Sequence, residues 1–121
     1  MTDDARSLDV VQRFNEAFGA GDVDAVMRLM TDDCVFESTS PPPGGERFVG
    51  QAAVGNFWRD FFAKTENAHF VAEELFAADD RVVCRWRFTW GSPPDEGYVR
   101  GVDVLRVRDG KVAEKLSYVK G

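Results

Sequence analysis

Arg81-Val82-Val83-Cys84-Arg85-Trp86-Arg87-Phe88-Thr89-Trp90 is the stretch on which the fold turns. Val82, Cys84, Trp86, Phe88 and Trp90 fall on one side of an extended chain, and Arg81, Val83, Arg85, Arg87 and Thr89 on the other. Side chains of a strand alternate between two faces, so this order describes a strand with one aromatic face and one arginine-rich face. The aromatic face has to be covered by other parts of the chain.

Working outward, residues 69–77 read as a second strand, joined to the first by an Asp79-Asp80 turn. On the other side Ser92-Pro93-Pro94-Asp95 makes a turn, and residues 98–107 and 112–119 form a hairpin around Arg108-Asp109-Gly110. Residues 34–38 are a further, isolated strand. Helices supply the cover. Leu8, Val11, Phe14, Ala17 and Phe18 recur at three- and four-residue spacing over residues 5–20, with Gly19 or Gly21 at the end. Asp22 caps a second, short helix with Val23, Val26, Met27 and Met30 on its apolar side, and Thr31-Asp32-Asp33 ends it. Gly50 precedes a third helix, residues 51–64, whose apolar face is Val54, Phe57, Trp58, Phe61 and Phe62. Between them Ser40-Pro41-Pro42-Pro43-Gly44-Gly45 is irregular, a loop for a pocket rim. The order is ααβαββββ. It predicts an α+β fold in which three helices pack on a curved antiparallel sheet, forming a cone with an apolar pocket at its open end. All 121 residues, 1–121, read as one domain.

Composition narrows the partners. The net charge is −6 and the pI near 4.7, which argues against nucleic acid or an anionic membrane as partner, since phosphate binding needs a basic surface. No apolar run has the roughly 18 residues a membrane span needs, and Met1-Thr2-Asp3-Asp4 lacks the apolar segment of a signal peptide. A cytoplasmic protein is expected. Cys34, Cys84 and the single His69 make neither a disulfide framework nor a metal-ligand spacing, so no metal or cofactor is expected. Both cysteines read as small buried hydrophobes.

The run Val10-Val11-Gln12-Arg13-Phe14 through Ala20-Gly21-Asp22-Val23-Asp24-Ala25-Val26, with Gly101-Val102-Asp103-Val104-Leu105-Arg106-Val107 and Asp109-Gly110-Lys111-Val112, resembles the nuclear transport factor 2-like superfamily, in its SnoaL-like and ketosteroid-isomerase-like branches. The resemblance covers nearly the whole chain. It implies the cone fold and a central pocket; the superfamily's functions range over isomerases, cyclases, dehydratases, epoxide hydrolases and binding domains. Ketosteroid isomerases use an aspartate base with a tyrosine and a protonated aspartic acid as oxyanion donors. Matched by motif, the tyrosine falls on Phe14 and the base on Ser38, and only Asp103 keeps its identity, so that mechanism is not expected here. The Asp-Arg-Asp set of the limonene-epoxide-hydrolase branch is also missing: Arg85 and Arg87 have no aspartate nearby, and Ser117 stands near the place of its second aspartate.

Asp103 lies mid-strand, where aspartate is disfavoured, and the resemblance turns it inward. Its partner depends on the hairpin register. A three-residue turn with Gly110 as the left-handed bulge residue, the preferred reading, sets Lys115 opposite Asp103 on the same face. A two-residue turn instead pairs Asp103 with Leu116 and turns Lys115 outward. Asp103, Lys115 and Ser38 are the candidate catalytic residues. Phe14, Phe18, Phe57, Phe61, Trp86, Trp90 and Ser117 are the candidate ligand-binding residues, with Phe88 read as core. If Asp103 is a pocket acid, Asp103→Asn is expected to leave the fold intact or even stabilise it. The expected activity is acid–base catalysis, of isomerase, cyclase, dehydratase or hydrolase type, on a small apolar compound carrying a carbonyl or hydroxyl. A non-catalytic domain binding a small hydrophobic ligand is the alternative.

Arg85, Arg87, Arg100 and Arg106 fall on the opposite face with Val83, Val102 and Val104. Such a face could hold an anion; salt bridging to Glu73 or Glu114 across a subunit interface is the preferred reading, which predicts a homodimer through the outer side of the sheet.

Overall fold

The computed structural model describes residues 2–121; Met1, the first residue of the amino-terminal reading above, lies outside them. Helix α1 (Asp3–Gly19) is capped by Thr2, whose hydroxyl accepts from the Ala5 amide at 3.1 Å. Its buried stripe is Val10, Val11, Phe14 and Phe18. Helix α2 (Val23–Arg28) is capped by the Asp22 carboxylate as its sequence predicts. It stops earlier than expected. Met30 and Thr31-Asp32-Asp33 belong instead to strand β1 (Met30–Glu37), where Met30 and Thr31 are buried and Asp32 and Asp33 exposed. Polar residues there read as a break, yet the pairing is irregular between Met30 and Val35 and lets both aspartates face water.

A three-residue strand, β2 (Arg47–Val49), was not foreseen; it pairs with β1 just before helix α3 (Gln51–Lys64). Strands β3 (His69–Ala78), β4 (Arg81–Trp90), β5 (Gly97–Arg108) and β6 (Lys111–Val119) follow. The six strands form one curved, unclosed sheet in the order β2-β1-β6-β5-β4-β3. Neighbours are antiparallel except β1 and β6, which run parallel, so the sheet is mixed rather than wholly antiparallel. Parallel neighbours need a long crossover, and everything from β2 to β5 is that crossover. No helix of the described residues is long and apolar enough to cross a membrane.

The helices cover the concave face, with Val11, Phe14, Val26 and Val54 meeting Val82, Leu105 and Val112, all fully buried. The alternation along β4 holds: Val82, Cys84, Trp86 and Phe88 are buried, and Arg85 and Arg87 exposed. Two tryptophans of β4 sit opposite glycines of β5, Trp86 against Gly101 and Trp90 against Gly97. A Cβ on Gly101 would meet the Trp86 ring at 2.7 Å and the Tyr118 carbonyl at 2.2 Å. Each ring can lie across the neighbouring strand only because that strand has no side chain there.

The β5–β6 register differs from both sequence alternatives. The turn has two residues, Asp109 and Gly110, both left-handed (φ 54° and 75°), with Arg108 opposite Lys111. A bulge follows: Val107 faces Val112 but Arg106 faces Glu114, leaving Ala113 between. Asp103 therefore opposes Ser117, not Lys115 or Leu116. The extra residue restores the parity a two-residue turn would have lost. Lys115, opposite Leu105, points to the same side as Asp103.

Candidate functional site

Between α3 and the concave face lies a cavity of about 830 Å³, the size that holds a small organic molecule. Its walls are Phe18 from α1, Phe36 from β1, Phe57, Trp58 and Phe61 from α3, Phe70 from β3, and Trp86, Phe88 and Trp90 from β4. Ser40, Lys64, Glu66, Ser92, Pro93 and Asp95 stand at the rim. The rings meet edge-on or tilted, Phe18 on Trp58 at 4.9 Å and Phe36 on Trp58 at 4.4 Å between centroids.

One polar group interrupts the aromatic wall. Asp103 is 1% exposed, Lys115 5% and Ser117 9%. Lys115 Nζ donates to Ser117 Oγ at 2.9 Å, and Ser117 Oγ donates to Asp103 Oδ1 at 2.7 Å. Lys115 Nζ also stands 3.3 Å from Asp103 Oδ2, close enough for an ion pair but outside hydrogen-bond geometry. The ammonium lies 5.0 Å from the centre of the Phe36 ring, 5.2 Å from Trp58 and 5.5 Å from Phe18. Ring faces attract a cation, most strongly where water is excluded. The carboxylate and three rings together compensate a lysine that would otherwise be prohibitive to bury.

The structure thus brings together Asp103, Lys115 and Ser117 with Phe18, Phe57, Phe61, Trp86 and Trp90. Ser38 also lines the cavity, but its hydroxyl is committed to the rim loop. It donates to the Ser40 carbonyl at 2.7 Å and accepts from the Glu46 amide at 3.1 Å. Phe14 does not line the cavity; it is fully buried in the core under α1. Helical periodicity gives the apolar face of α1 but not how far along the cone each ring falls, and Phe14 sits one turn short of Phe18. Phe36 and Trp58 were not singled out for the site, though both carry the Lys115 ammonium. The signal for Trp58 was present in its place between Phe57 and Phe61 on the face of α3.

Cys84 lies opposite Asp103 on β4 and accepts from Asn15 Nδ2 at 3.5 Å. Burial, reinforced by the Asp103 charge, pushes its thiol up to about 11. Burial likewise raises Cys34. Both cysteines are free. His69 is exposed, its ring near Asn67 Oδ1 at 3.1 Å.

On the convex face the arginines pair within the chain: Arg81 with Glu114 at 2.9 Å, Arg100 with Glu73 at 3.0 Å, Arg85 with Glu74 at 3.4 Å, and Arg106 with Asp80 at 3.6 Å. Arg87 instead lies 5.1 Å from the centre of the Tyr98 ring. The carboxylates expected from across an interface are supplied by the same chain.

The sequence model of the SnoaL-like domain family matches residues 11–115. An NTF2-like protein of unknown function from Mesorhizobium loti is 36% identical, with a TM-score of 0.84 over 100% of this chain and 96% of that one. A candidate ketosteroid isomerase from Kribbella flavida is 18% identical (TM-score 0.83; 100% of this chain, 82% of that one). A candidate polyketide cyclase from Xanthomonas campestris is 20% identical (TM-score 0.80; 98% and 93%). At such identities the last two share the fold alone. No curated protein matches the sequence.

Proposed function

The chain belongs to the SnoaL-like domain family, and on that premise we propose that it takes a small apolar molecule bearing a carbonyl or hydroxyl into its cavity and performs acid–base chemistry on it. The observation that carries this reading is the hydrogen-bonded series Lys115–Ser117–Asp103, buried in an otherwise aromatic wall. A carboxylate held at one oxygen by a hydroxyl, with an ammonium beside it, can take a proton from a bound substrate through its other oxygen. Lys115, 3.3 Å from that oxygen, stands where it offsets negative charge developing on the substrate. Isomerisation, aldol-type cyclisation and elimination of water can begin with such a step; in hydrolysis the proton comes from the attacking water instead. Ser38 shapes the rim rather than moving a proton, because its hydroxyl is already engaged.

A second reading, a non-catalytic binding domain, is favoured by one observation. The position that matches the tyrosine donor of ketosteroid isomerases is Phe14, a core residue with no hydroxyl. Mass spectrometry of the purified protein under non-denaturing conditions identifies the bound molecule. Returned altered by the protein, it supports catalysis; returned unchanged, it supports binding alone. For a catalyst, Asp103→Asn lowers turnover by about two orders of magnitude, and full activity in that variant removes Asp103 from the mechanism.

The proposal extends to the assembly and the compartment. The convex face carries Val83, Val102, Val104 and Leu116, part-exposed, with Tyr98 and Tyr118 exposed. Its arginines are largely neutralised within the chain, which favours a second copy of this chain as the covering surface over an acidic partner. Two free buried cysteines suit the reducing cytoplasm.

A further inference from the structure

Four buried side-chain polar atoms have no hydrogen-bond partner among the described residues: Thr31 Oγ1, Trp58 Nε1, Trp86 Nε1 and Asp103 Oδ2, the last of which has only the ion pair with Lys115. Three of the four belong to residues that line the cavity. A native fold leaves few such atoms, and each asks for an explanation.

Asp103 and Trp86 form a natural pair. Both project from the concave face, on adjacent strands, with Trp86 opposite Gly101 and Asp103 two residues further along β5. Such diagonal neighbours stand roughly 7–8 Å apart at their backbones, within the span of a long side chain and one bridging group. Gly101 leaves room for the Trp86 ring against β5, because a Cβ there would meet that ring and the Tyr118 carbonyl. One atom of the pair is an acceptor and the other a donor with no acceptor capacity.

Building on the pocket reading above, we infer that Trp86 is a specificity-determining residue: its indole N–H and Asp103 Oδ2 together recognise a hydroxyl group, as an alcohol, enol or phenol, on an apolar ligand. A hydroxyl supplies both halves of what the pair lacks. Its hydrogen goes to Oδ2 and its oxygen accepts from Nε1. An ether or ketone satisfies only the indole and leaves the carboxylate oxygen unpaired; a hydrocarbon satisfies neither. Lys115 sharpens the selection. Its ammonium neutralises Asp103 in place, so the site has no net charge for a cationic or anionic ligand to balance.

The test uses three probes of one shape, β-naphthol, β-methoxynaphthalene and naphthalene, with binding followed by calorimetry and by the indole N–H signals in nitrogen-15 spectra. β-Naphthol is expected to bind about tenfold more tightly than naphthalene, with the methoxy compound between them. The Trp86 indole proton is expected to move downfield with β-naphthol and not with naphthalene. Trp86→Phe is expected to abolish the advantage of the methoxy compound over naphthalene and to leave β-naphthol only the part of its preference that Asp103 Oδ2 supplies, while Trp58→Phe keeps both. Equal binding of naphthalene and β-naphthol overturns this inference but not the pocket. Loss of the methoxy compound's advantage in Trp58→Phe rather than Trp86→Phe overturns the assignment to Trp86. Failure of all three to bind overturns the pocket reading together with this one. The indole spectrum of the unmodified protein decides the matter should Trp86→Phe fold poorly.

Discussion

On the concave side of the sheet, Trp86 and Asp103 are almost wholly buried, and the Asp103 carboxylate pairs with the buried ammonium of Lys115 from the neighbouring β6. On the convex side of β4 and β5, Arg85 and Arg100 pair with Glu74 and Glu73 at the surface. The strands are the same and so is the kind of pair. What differs is the medium, and it decides the worth of each pair. In water a pair contributes up to about 1 kcal/mol. In the aromatic interior the pair itself is close to neutral for stability, but either half alone is very costly.

Breaking that contrast gives the largest effect. Lys115→Met is expected to cost about 3–5 kcal/mol by leaving Asp103 uncompensated, against at most about 1 kcal/mol for Arg85→Met, both read from urea unfolding. Asp103→Asn, neutral or stabilising for a lone acid, becomes destabilising here because it strands the lysine. The double variant Asp103→Asn/Lys115→Met recovers much of the loss. Simple addition of the two single costs would show that the residues do not act as a pair.

Glycines repeat the contrast. Gly101→Ala is expected to cost about 3 kcal/mol, because the new Cβ meets a backbone carbonyl that cannot yield. Gly110→Ala, in the open turn with φ 75°, costs about 1 kcal/mol through backbone strain alone. Equal costs would mean that the Trp86 ring moves aside freely.

Cys84 sharpens the comparison through pH. Its thiol is raised from an ordinary 9.0 to about 11, so the folded state prefers the neutral form. That contribution is fully present below pH 9 and is lost as pH rises from about 9 to 11, amounting to about 2–3 kcal/mol. Cys84→Ala should lack this part of the alkaline decline. Parallel stability curves for the two proteins over that window would remove Cys84 as its source.

A small effect on the chain's own stability, up to about 1 kcal/mol, is expected from Val104→Asp in mid-strand on the convex face. Its readout is mass. Light scattering at micromolar concentration should give twice the chain mass for the unmodified protein and a shift toward one chain for the variant. A single-chain mass for the unmodified protein refutes the homodimer.

Which residues face which side was legible wherever a strand alternates over its whole length. β4 does, and its faces follow from the sequence directly. The fold class follows from the order of elements, whereas the inward place of Asp103 came from the family resemblance. The hairpin register did not, because it depends on two local events that oppose each other, a two-residue turn and a bulge at Ala113. The Asp109-Gly110 pair announces the turn, but nothing in the sequence marks the bulge. Lys115 reached the correct face although its partner was misassigned, since the two shifts cancel in parity. β2 escaped because three residues beside a proline-rich loop carry no periodicity. Phe14 was misplaced for a different reason: periodicity gives direction around a helix axis, whereas lining a cavity depends on depth along it.

The parallel pairing of β1 with β6 carries a consequence in time. Phe36 on β1 sits directly opposite Lys115 on β6, so residues almost eighty positions apart must meet before the ammonium has its ring beneath it. Contacts of such separation form slowly, since closing the long loop comes before any reward for it. During synthesis the helices and the first strands leave the ribosome well before residues 103–117, which carry the buried ion pair of the site. A nascent chain therefore passes through a stage with most of its apolar wall and neither member of that pair. The same late zippering that completes the sheet creates the site, and a molecule that has not finished folding has nothing with which to act.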